Sequence, residues 1–153
     1  MGAPSVWIGE GMASGSLISS PHYAAFVLPF EQQVTSRLRE FGVPSALHIC
    51  GRADNLLEEM ARSGADCLEI DWQVDLTAAK CRIGSEVALK GNLHTSKLAQ
   101  SSPVQVYHDA RSAIEAAGLE GAFILSSGCA LGRDTPAENV DAMARAGRDF
   151  GVY

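Results

Sequence analysis

The sequence predicts an α/β fold in which five parallel strands alternate with helices. Short runs rich in apolar and β-branched residues fall at residues 5–9, 45–50, 67–71, 87–91 and 122–126. These runs are mostly continuous rather than alternating, which is typical of strands covered on both faces. Most of the segments between them show helical spacing of their apolar residues. The repeated alternation of strand and helix indicates right-handed βαβ units and a parallel sheet.

The first helix is predicted over residues 20–42. Ser20-Pro21 supplies a capping residue followed by Pro at the first helical position, and Gly42 supplies the stop. Pro29 lies inside this segment and is expected to kink the helix, because Pro removes a backbone donor and clashes with the preceding turn.

The later helices have similar signals. A second helix is predicted over residues 54–63 and a short third one over residues 76–83. Ser102-Pro103 opens another, which runs to Gly118. Residues 135–138, Thr-Pro-Ala-Glu, are interpreted as a capping box that begins a final helix ending near Phe150.

The domain organisation predicted from this pattern is simple. No linker, low-complexity segment or block of charge interrupts residues 1–153, so they are expected to form a single domain. Either an open doubly wound sheet or part of a (β/α)8 barrel fits the alternation. A full barrel usually takes about 250 residues, and the predicted units fall short of eight. Composition does not choose between these architectures.

Charge and hydropathy narrow the class of protein. The formal net charge is −6, and the twelve Lys and Arg residues are scattered, which argues against a nucleic-acid surface. No apolar stretch approaches the length of about 20 residues that spans a bilayer. The N-terminus lacks the basic-then-apolar pattern of a secretion signal. We therefore expect a cytoplasmic protein with no membrane or nucleic-acid partner.

Polar residues collect where the predicted strands end. In parallel α/β folds, functional residues gather at the carboxyl ends of strands and in the loops that follow. The candidates at these positions are Glu10, His48, Cys50, Asp71, Asn92, His94, Ser126 and Cys129.

A metal site is one interpretation of three of these residues. His48 and Cys50 lie two apart at the end of one strand, so their side chains point the same way. Cys129 follows the last strand at the same edge of the sheet. Imidazole with two thiolates suits Zn2+, and three protein ligands leave one position for substrate. The alternative is a pair of ordinary structural residues. Cys67 and Cys81 are expected to lie in the core.

The order of several motifs resembles that of the uroporphyrinogen decarboxylase superfamily, and within it most closely the corrinoid-linked methyltransferases that methylate coenzyme M. The similarity runs along nearly the whole chain. The motifs that carry it are LISSP at 17–21, VLP at 27–29, HICG at 48–51, EIDW at 69–72, KGNL at 90–93, ILSSGC at 124–129 and TPAENV at 135–140.

The resemblance implies a (β/α)8 barrel, of which this sequence would supply the last five βα units. It also implies that His48, Cys50 and Cys129 are zinc ligands, as in the thiol-methylating branch, whereas the decarboxylases proper have no zinc. Zinc would activate a small thiol, similar to coenzyme M, for attack on a methyl group held by a separate corrinoid protein. Asp71 and Asn92, as catalytic residues, would line the pocket or hold hydrogen bonds to the groups around the ligands.

Further roles follow from the same resemblance. Glu10, His94 and Ser126 are expected near the cofactors, with Glu10 either a weak fourth ligand that substrate displaces or a solvated carboxylate. His94 stands where the decarboxylases commonly carry Asp after Gly-Asn-Leu, which weakens the decarboxylase interpretation.

The front of the barrel is absent from this sequence, and the edges of a five-stranded sheet need cover. We therefore expect a homodimer or a complementing half-barrel chain. Two alternatives to the methyltransferase stay open. One is a metal-free lyase similar to uroporphyrinogen decarboxylase, and the other is a non-catalytic half-barrel remnant that retains the fold.

Overall fold

The computed structural model of the chain describes residues 4–119 and 121–151. Within them, five strands form one sheet in the order β1-β2-β3-β4-β5, and every neighbouring pair is parallel. The predicted fold class is confirmed, and each predicted strand is found with small shifts of its ends. The strands are β1 Val6–Gly9, β2 Ser45–Ile49, β3 Cys67–Ile70, β4 Ala88–Leu93 and β5 Phe123–Ser127.

The described residues also form seven α-helices and a 3-10 turn at Gly11–Ala13. The helices are α1 Ser20–Phe26, α2 Leu28–Glu40, α3 Leu57–Ala61, α4 Leu76–Ile83, α5 Thr95–Gln100, α6 Pro103–Ala117 and α7 Ala137–Phe150. No helix in this part of the chain combines the length and the apolar character needed to cross a bilayer.

The strand order decides between the two predicted architectures. Strands that follow one another in the sequence are also neighbours in the sheet. In a doubly wound sheet the order reverses part-way, whereas in a (β/α)8 barrel it runs in sequence around the axis. The sheet therefore has the winding of a barrel segment.

The two faces of the sheet differ in chemistry because successive side chains on a strand point to opposite sides. One face is apolar: Leu47, Leu68 and Leu89 are fully buried and pack into the same core as residues of the helices. The other face is called the open face here, and it carries Trp7, His48, Glu69, Lys90 and Ile124. Register pairs His48 with Glu69, Glu69 with Lys90, and Lys90 with Ile124.

The first predicted helix is interrupted rather than kinked. It consists of α1 and α2, which are separated at Val27. Pro29 lies in the first turn of α2. At that position the missing N–H of Pro removes no helical hydrogen bond, so the chain begins a new helix there.

Two other helix starts differ from the predictions. The prediction of a capping box at residues 135–138 is wrong. The N-cap of α7 is Pro136, which makes no side-chain capping hydrogen bond. The short helix α5 is not predicted by the sequence. Its N-cap is His94, whose Nδ1 accepts a hydrogen bond from the backbone N–H of Ser96 at 3.1 Å, a role usually filled by Ser, Thr, Asp or Asn.

A buried polar pair joins α1 to α2. The Tyr23 hydroxyl, fully buried, donates a hydrogen bond to the Glu31 carboxyl group, which is 3% exposed. The second oxygen of Glu31 is also buried and has no protein partner. Burial raises the pKa of Glu31 to about 7; the hydrogen bond from Tyr23 opposes this rise, and the charge of Glu10 adds to it.

We expect the Glu31 carboxyl group to make folding stability depend on pH. Its folded pKa of about 7 lies above the ordinary carboxyl value of 4.5, so its contribution to stability is full below about pH 4.5 and is lost as pH rises through 7. Relative to wild type, Glu31→Gln should flatten the fall in unfolding free energy over that range, by on the order of 3 kcal/mol. Urea unfolding at several pH values measures this.

The matched control for this experiment is Glu40→Gln, at an exposed position of the same helix. It should follow the pH dependence of wild type. A Glu31→Gln variant whose stability curve runs parallel to that of wild type from pH 4.5 to 8 would contradict the assignment.

Candidate metal centre

Three potential metal donors meet at the carboxyl edge of the sheet. His48 lies on β2, Cys50 follows that strand directly, and Cys129 follows β5. The His48 Nε2 atom is 3.1 Å from the Cys50 Sγ atom, and the Cys50 and Cys129 Sγ atoms are 3.7 Å apart. All three donor atoms lie within 4.8 Å of one another. Within residues 4–119 and 121–151, this is the one group of three or more His, Cys, Asp or Glu donors so close together.

Curvature of the sheet makes this meeting possible. Strands β2 and β5 are separated by two others, and in a flat sheet three strand spacings amount to about 14 Å. The thiols of Cys50 and Cys129 are nevertheless 3.7 Å apart. The strand ends must therefore converge, as they do around a barrel axis, and the residues after β5 must turn inward.

The donor set fits zinc in type and in spacing. Tetrahedral zinc with the usual bond lengths holds two sulfur ligands about 3.8 Å apart, and a nitrogen and a sulfur about 3.5 Å apart. The two thiols already have this spacing, and the His48–Cys50 pair needs to open by a few tenths of an ångström. One imidazole and two thiols are also the donors that zinc prefers over harder cations.

The protonation of the site follows from its contacts. The Nδ1 atom of His48 lies 3.1 Å from the backbone oxygen of Glu69, which can only accept, so Nδ1 carries the proton. In the neutral ring, Nε2 is then free to act as a ligand. Burial raises the pKa of Cys50 to about 11, helped by the hydrogen bond to Cys129 and by the nearby charges of Cys129, Asp71 and Glu69. Cys50 therefore stays protonated at neutral pH unless a cation binds and stabilises its thiolate.

Gly128 allows the chain to place Cys129, the third donor, at the site. Its N–H donates to the backbone oxygen of Leu93 at 2.8 Å, which ties the residues after β5 to the end of β4. A Cβ atom at position 128 would lie 2.4 Å from the backbone nitrogen of Trp72 and 3.1 Å from the carbonyl carbon of Asp71. Only glycine allows this approach, which brings the residues after β5 against those that follow β3.

Asp71 and Asn92, predicted as catalytic, both lie at this edge. Asp71 is 4% exposed, its Oδ1 accepts from the N–H of Gln73 at 3.0 Å, and its charge contributes to the raised pKa of Cys50. The Asn92 side chain donates to the backbone oxygens of Val74 at 2.9 Å and Asp71 at 3.3 Å. Asn92 therefore holds the residues after β3 in place, and contact with substrate stays a prediction for both.

Glu10, His94 and Ser126, predicted near the cofactors, lie around the same edge but outside the three-donor group. The N–H of Glu10 donates to the backbone oxygen of His48 at 2.8 Å. The ring of His94 stacks on Trp72 with 3.7 Å between centroids. Ser126, on β5, pairs in register with Asn92. Their cofactor contacts stay predictions.

Sequence reasoning assigned no roles to Trp7 and Glu69, which contact His48, or to Lys90, which pairs with Glu69. A signal was available, because Glu69 and Lys90 each place a charge within an otherwise apolar predicted strand. Cys67 is buried as expected, whereas Cys81, expected in the core, is exposed on α4.

Comparison with known proteins gives the family. The profile of the uroporphyrinogen decarboxylase (URO-D) family matches residues 1–150. The chain belongs to the uroporphyrinogen decarboxylase family. The resemblance inferred from the sequence motifs is therefore confirmed.

Curated relatives in this family include both kinds of enzyme. The methylated-thiol–coenzyme M methyltransferase of Methanosarcina mazei is 34% identical over 146 residues, which are 95% of this chain and 38% of the relative. A methylcobamide:CoM methyltransferase of the same organism is 28% identical over 97% of this chain and 43% of its own length. The uroporphyrinogen decarboxylase of Methylococcus capsulatus is 32% identical over 89% of this chain and 39% of its own length.

The fold agrees with that of a solved structure. A methyltransferase from Methanosarcina mazei superimposes with a TM-score of 0.88 at 27% identity, covering 99% of this chain and 43% of that one. The chain thus spans roughly two fifths of the length of the relatives it matches.

Gly128→Ala should weaken zinc binding by at least tenfold and destabilise the fold by about 1–3 kcal/mol, because the new methyl group must push the residues after β5 off the backbone of Trp72. Zinc affinity can be measured by competition with a chromophoric chelator, and stability by urea unfolding.

Gly132→Ala is the matched control, since a Cβ at that position meets nothing within 4 Å. It should leave both quantities unchanged. If Gly128→Ala binds zinc as tightly as wild type, the role of this glycine in placing Cys129 is refuted.

Proposed function

We propose that this chain forms the zinc-binding part of a URO-D-family methyltransferase, which moves a methyl group from a methylated corrinoid protein to a small thiol. The convergence of His48, Cys50 and Cys129 carries the proposal. The relatives named as thiol or methylcobamide:coenzyme M methyltransferases support the reaction class.

His48, Cys50 and Cys129 would hold the ion. Bound zinc would lower the pKa of a substrate thiol and so supply a thiolate at neutral pH. Three protein donors leave one coordination position, which is the pattern of catalytic rather than structural zinc sites. Glu10 would act as a weak fourth donor that gives way to substrate.

The proposed reaction balances without a further reagent. The substrate thiolate attacks the methyl carbon, a sulfur–carbon bond forms as the cobalt–carbon bond breaks, and the electron pair stays on cobalt. The thiol proton passes to solvent. Asp71 and Asn92 would shape the edge of the pocket on the β3 and β4 side, with His94 and Ser126 beside them.

A metal-free decarboxylase is the second candidate. The uroporphyrinogen decarboxylase of Methylococcus capsulatus is about as similar to this chain as the methyltransferases are. Against it stands the donor group itself, because two thiols 3.7 Å apart beside an imidazole serve no purpose in a reaction without a metal.

The test combines metal content with turnover. We expect about one zinc per chain and, under anaerobic conditions, zinc-dependent demethylation of methylcobalamin by 2-mercaptoethanesulfonate, followed by cobalt absorbance. Cys129→Ala should lose zinc affinity by roughly 100-fold or more, since the loss of an outer hydrogen-bond partner alone costs 10–100-fold. Cys81→Ala, which removes an exposed thiol outside the three-donor group, should behave as wild type.

The other outcomes separate the alternatives. Carbon dioxide release from a porphyrinogen by zinc-free protein would replace the methyltransferase with the decarboxylase. Stoichiometric zinc without turnover on any thiol would identify a non-catalytic half-barrel. Equal zinc content in wild type and Cys129→Ala would refute the metal site.

We also propose that residues 1–153 form one domain equivalent to the last five βα units of a (β/α)8 barrel, and that a second chain completes the enclosure. The open face supports this, because Trp7 is 57% and Ile124 51% exposed on a surface that would face a barrel interior. A second copy or a complementing half-barrel chain would cover it, together with the strand edges.

We expect a two-chain mass by size-exclusion chromatography with light scattering. A monodisperse single-chain mass would reject the homodimer and leave the complementing chain as the occupant.

A further inference from the structure

We propose that Glu69 is the positioning residue of His48, holding the imidazole in the tautomer and orientation that present Nε2 to the metal. This inference rests on the metal site of the proposed function. It extends that site from the three donors to the network behind one of them on the open face.

The backbone of Glu69 determines which ring nitrogen carries the proton. Register places Glu69 beside His48 on the neighbouring strand, and its backbone oxygen lies 3.1 Å from the His48 Nδ1 atom. Since this oxygen only accepts, Nδ1–H points at β3. The Nε2 atom then points the other way, where it lies 3.1 Å from the Cys50 Sγ atom.

The carboxylate of Glu69 adds negative charge on the same side of the ring. Its Oε2 atom is 3.7 Å from the His48 Nδ1 atom. Two donors fix that carboxylate: the Trp7 indole N–H at 2.5 Å from Oε2, and the Lys90 ammonium at 2.8 Å from Oε1. A carboxylate held beside Nδ1–H makes the imidazole a better ligand at its other nitrogen.

Trp7 also confines the ring of His48. The two rings stack with 5.7 Å between centroids and 23° between planes. Gly9 leaves room for this, since a Cβ there would lie 2.6 Å from the indole. His48 is 2% and Glu69 7% exposed, so the ring is enclosed although it lies on the open face.

A plain Glu69–Lys90 ion pair does not account for this arrangement. Burying a charged pair is about neutral for stability compared with apolar residues. Here the carboxylate also receives the Trp7 N–H and faces the His48 Nδ1 atom, whereas an ion pair alone needs neither contact. The contacts converge on the imidazole, which is what a positioning role requires.

The test is Glu69→Gln, which keeps shape and removes charge. In metal-free wild type and in Glu69→Gln alike, nitrogen NMR should show His48 entirely as the Nδ1–H tautomer, because both keep the backbone oxygen of residue 69. The effect of Glu69→Gln should lie in metal binding. Zinc affinity should fall 10–100-fold, and the ligand-field bands of the cobalt(II)-substituted protein should shift. Glu115→Gln, which disrupts an exposed ion pair on α6, is the control and should change none of these.

A second variant separates positioning from folding. Glu69→Gln/Lys90→Met removes both charges, so no unpaired ammonium remains, and it should retain the weakened zinc affinity and shifted bands. Wild-type affinity in this double variant would overturn the proposal, as would an Nε2–H tautomer in metal-free wild type. The tautomer needs no metal, so this result stands apart from the proposed function, whose failure would show in the zinc content and turnover of the protein.

Discussion

The curvature of a parallel sheet is the constraint on which the candidate site depends. Cys50 and Cys129 follow strands that have two others between them, yet their thiols lie 3.7 Å apart. Helices pack with Leu47, Leu68 and Leu89 on the apolar face, and the sheet curves toward the open face, so its carboxyl ends converge. Gly128 completes the approach, because its lack of a side chain lets the residues after β5 touch the backbone of Trp72.

The donors are close in space and distant in the chain. Cys50 and Cys129 are 79 positions apart, so a cation bound by both would close a loop that includes β3, β4 and β5. Closing so long a loop in the unfolded chain is entropically costly, and a site of this kind scarcely exists before folding. Metal affinity and folding stability would therefore be coupled here, and the ion would join the first third of the chain to its last third.

The fold was largely predictable from the sequence. Along most of the chain, the spacing of apolar residues agrees with the Gly, Pro and capping residues that mark the ends of strands and helices. Five apolar runs gave five strands, and Gly42 and Gly118 each end a helical segment as expected. The failures have local causes. Pro29 inside a helical segment predicts a kink, yet Pro is equally suited to the first turn of a new helix, and that is where it lies in α2. Helix α5 is not predicted because its N-cap is His94, and His is not among the residues by which helix starts are usually recognised.

The three donors of the candidate site were more predictable than the residues that hold His48 in place. A His and a Cys two apart on a strand share a face by geometry alone, and Cys129 follows another strand at the same edge. The partners of His48 depend on strand register and on rotamers, neither of which a single sequence specifies. The bond from Trp7 to Glu69 joins residues 62 positions apart on strands that are not neighbours, so no local pattern reveals it.

The placement of the two indoles gives the site an optical reporter of its own. The chain has two tryptophans: Trp7 stacks on His48, and Trp72 follows Asp71 and stacks on His94. Both chromophores thus border the carboxyl edge of the sheet, and none elsewhere dilutes their signal. Their emission should report events at this edge directly, without a dye or a label.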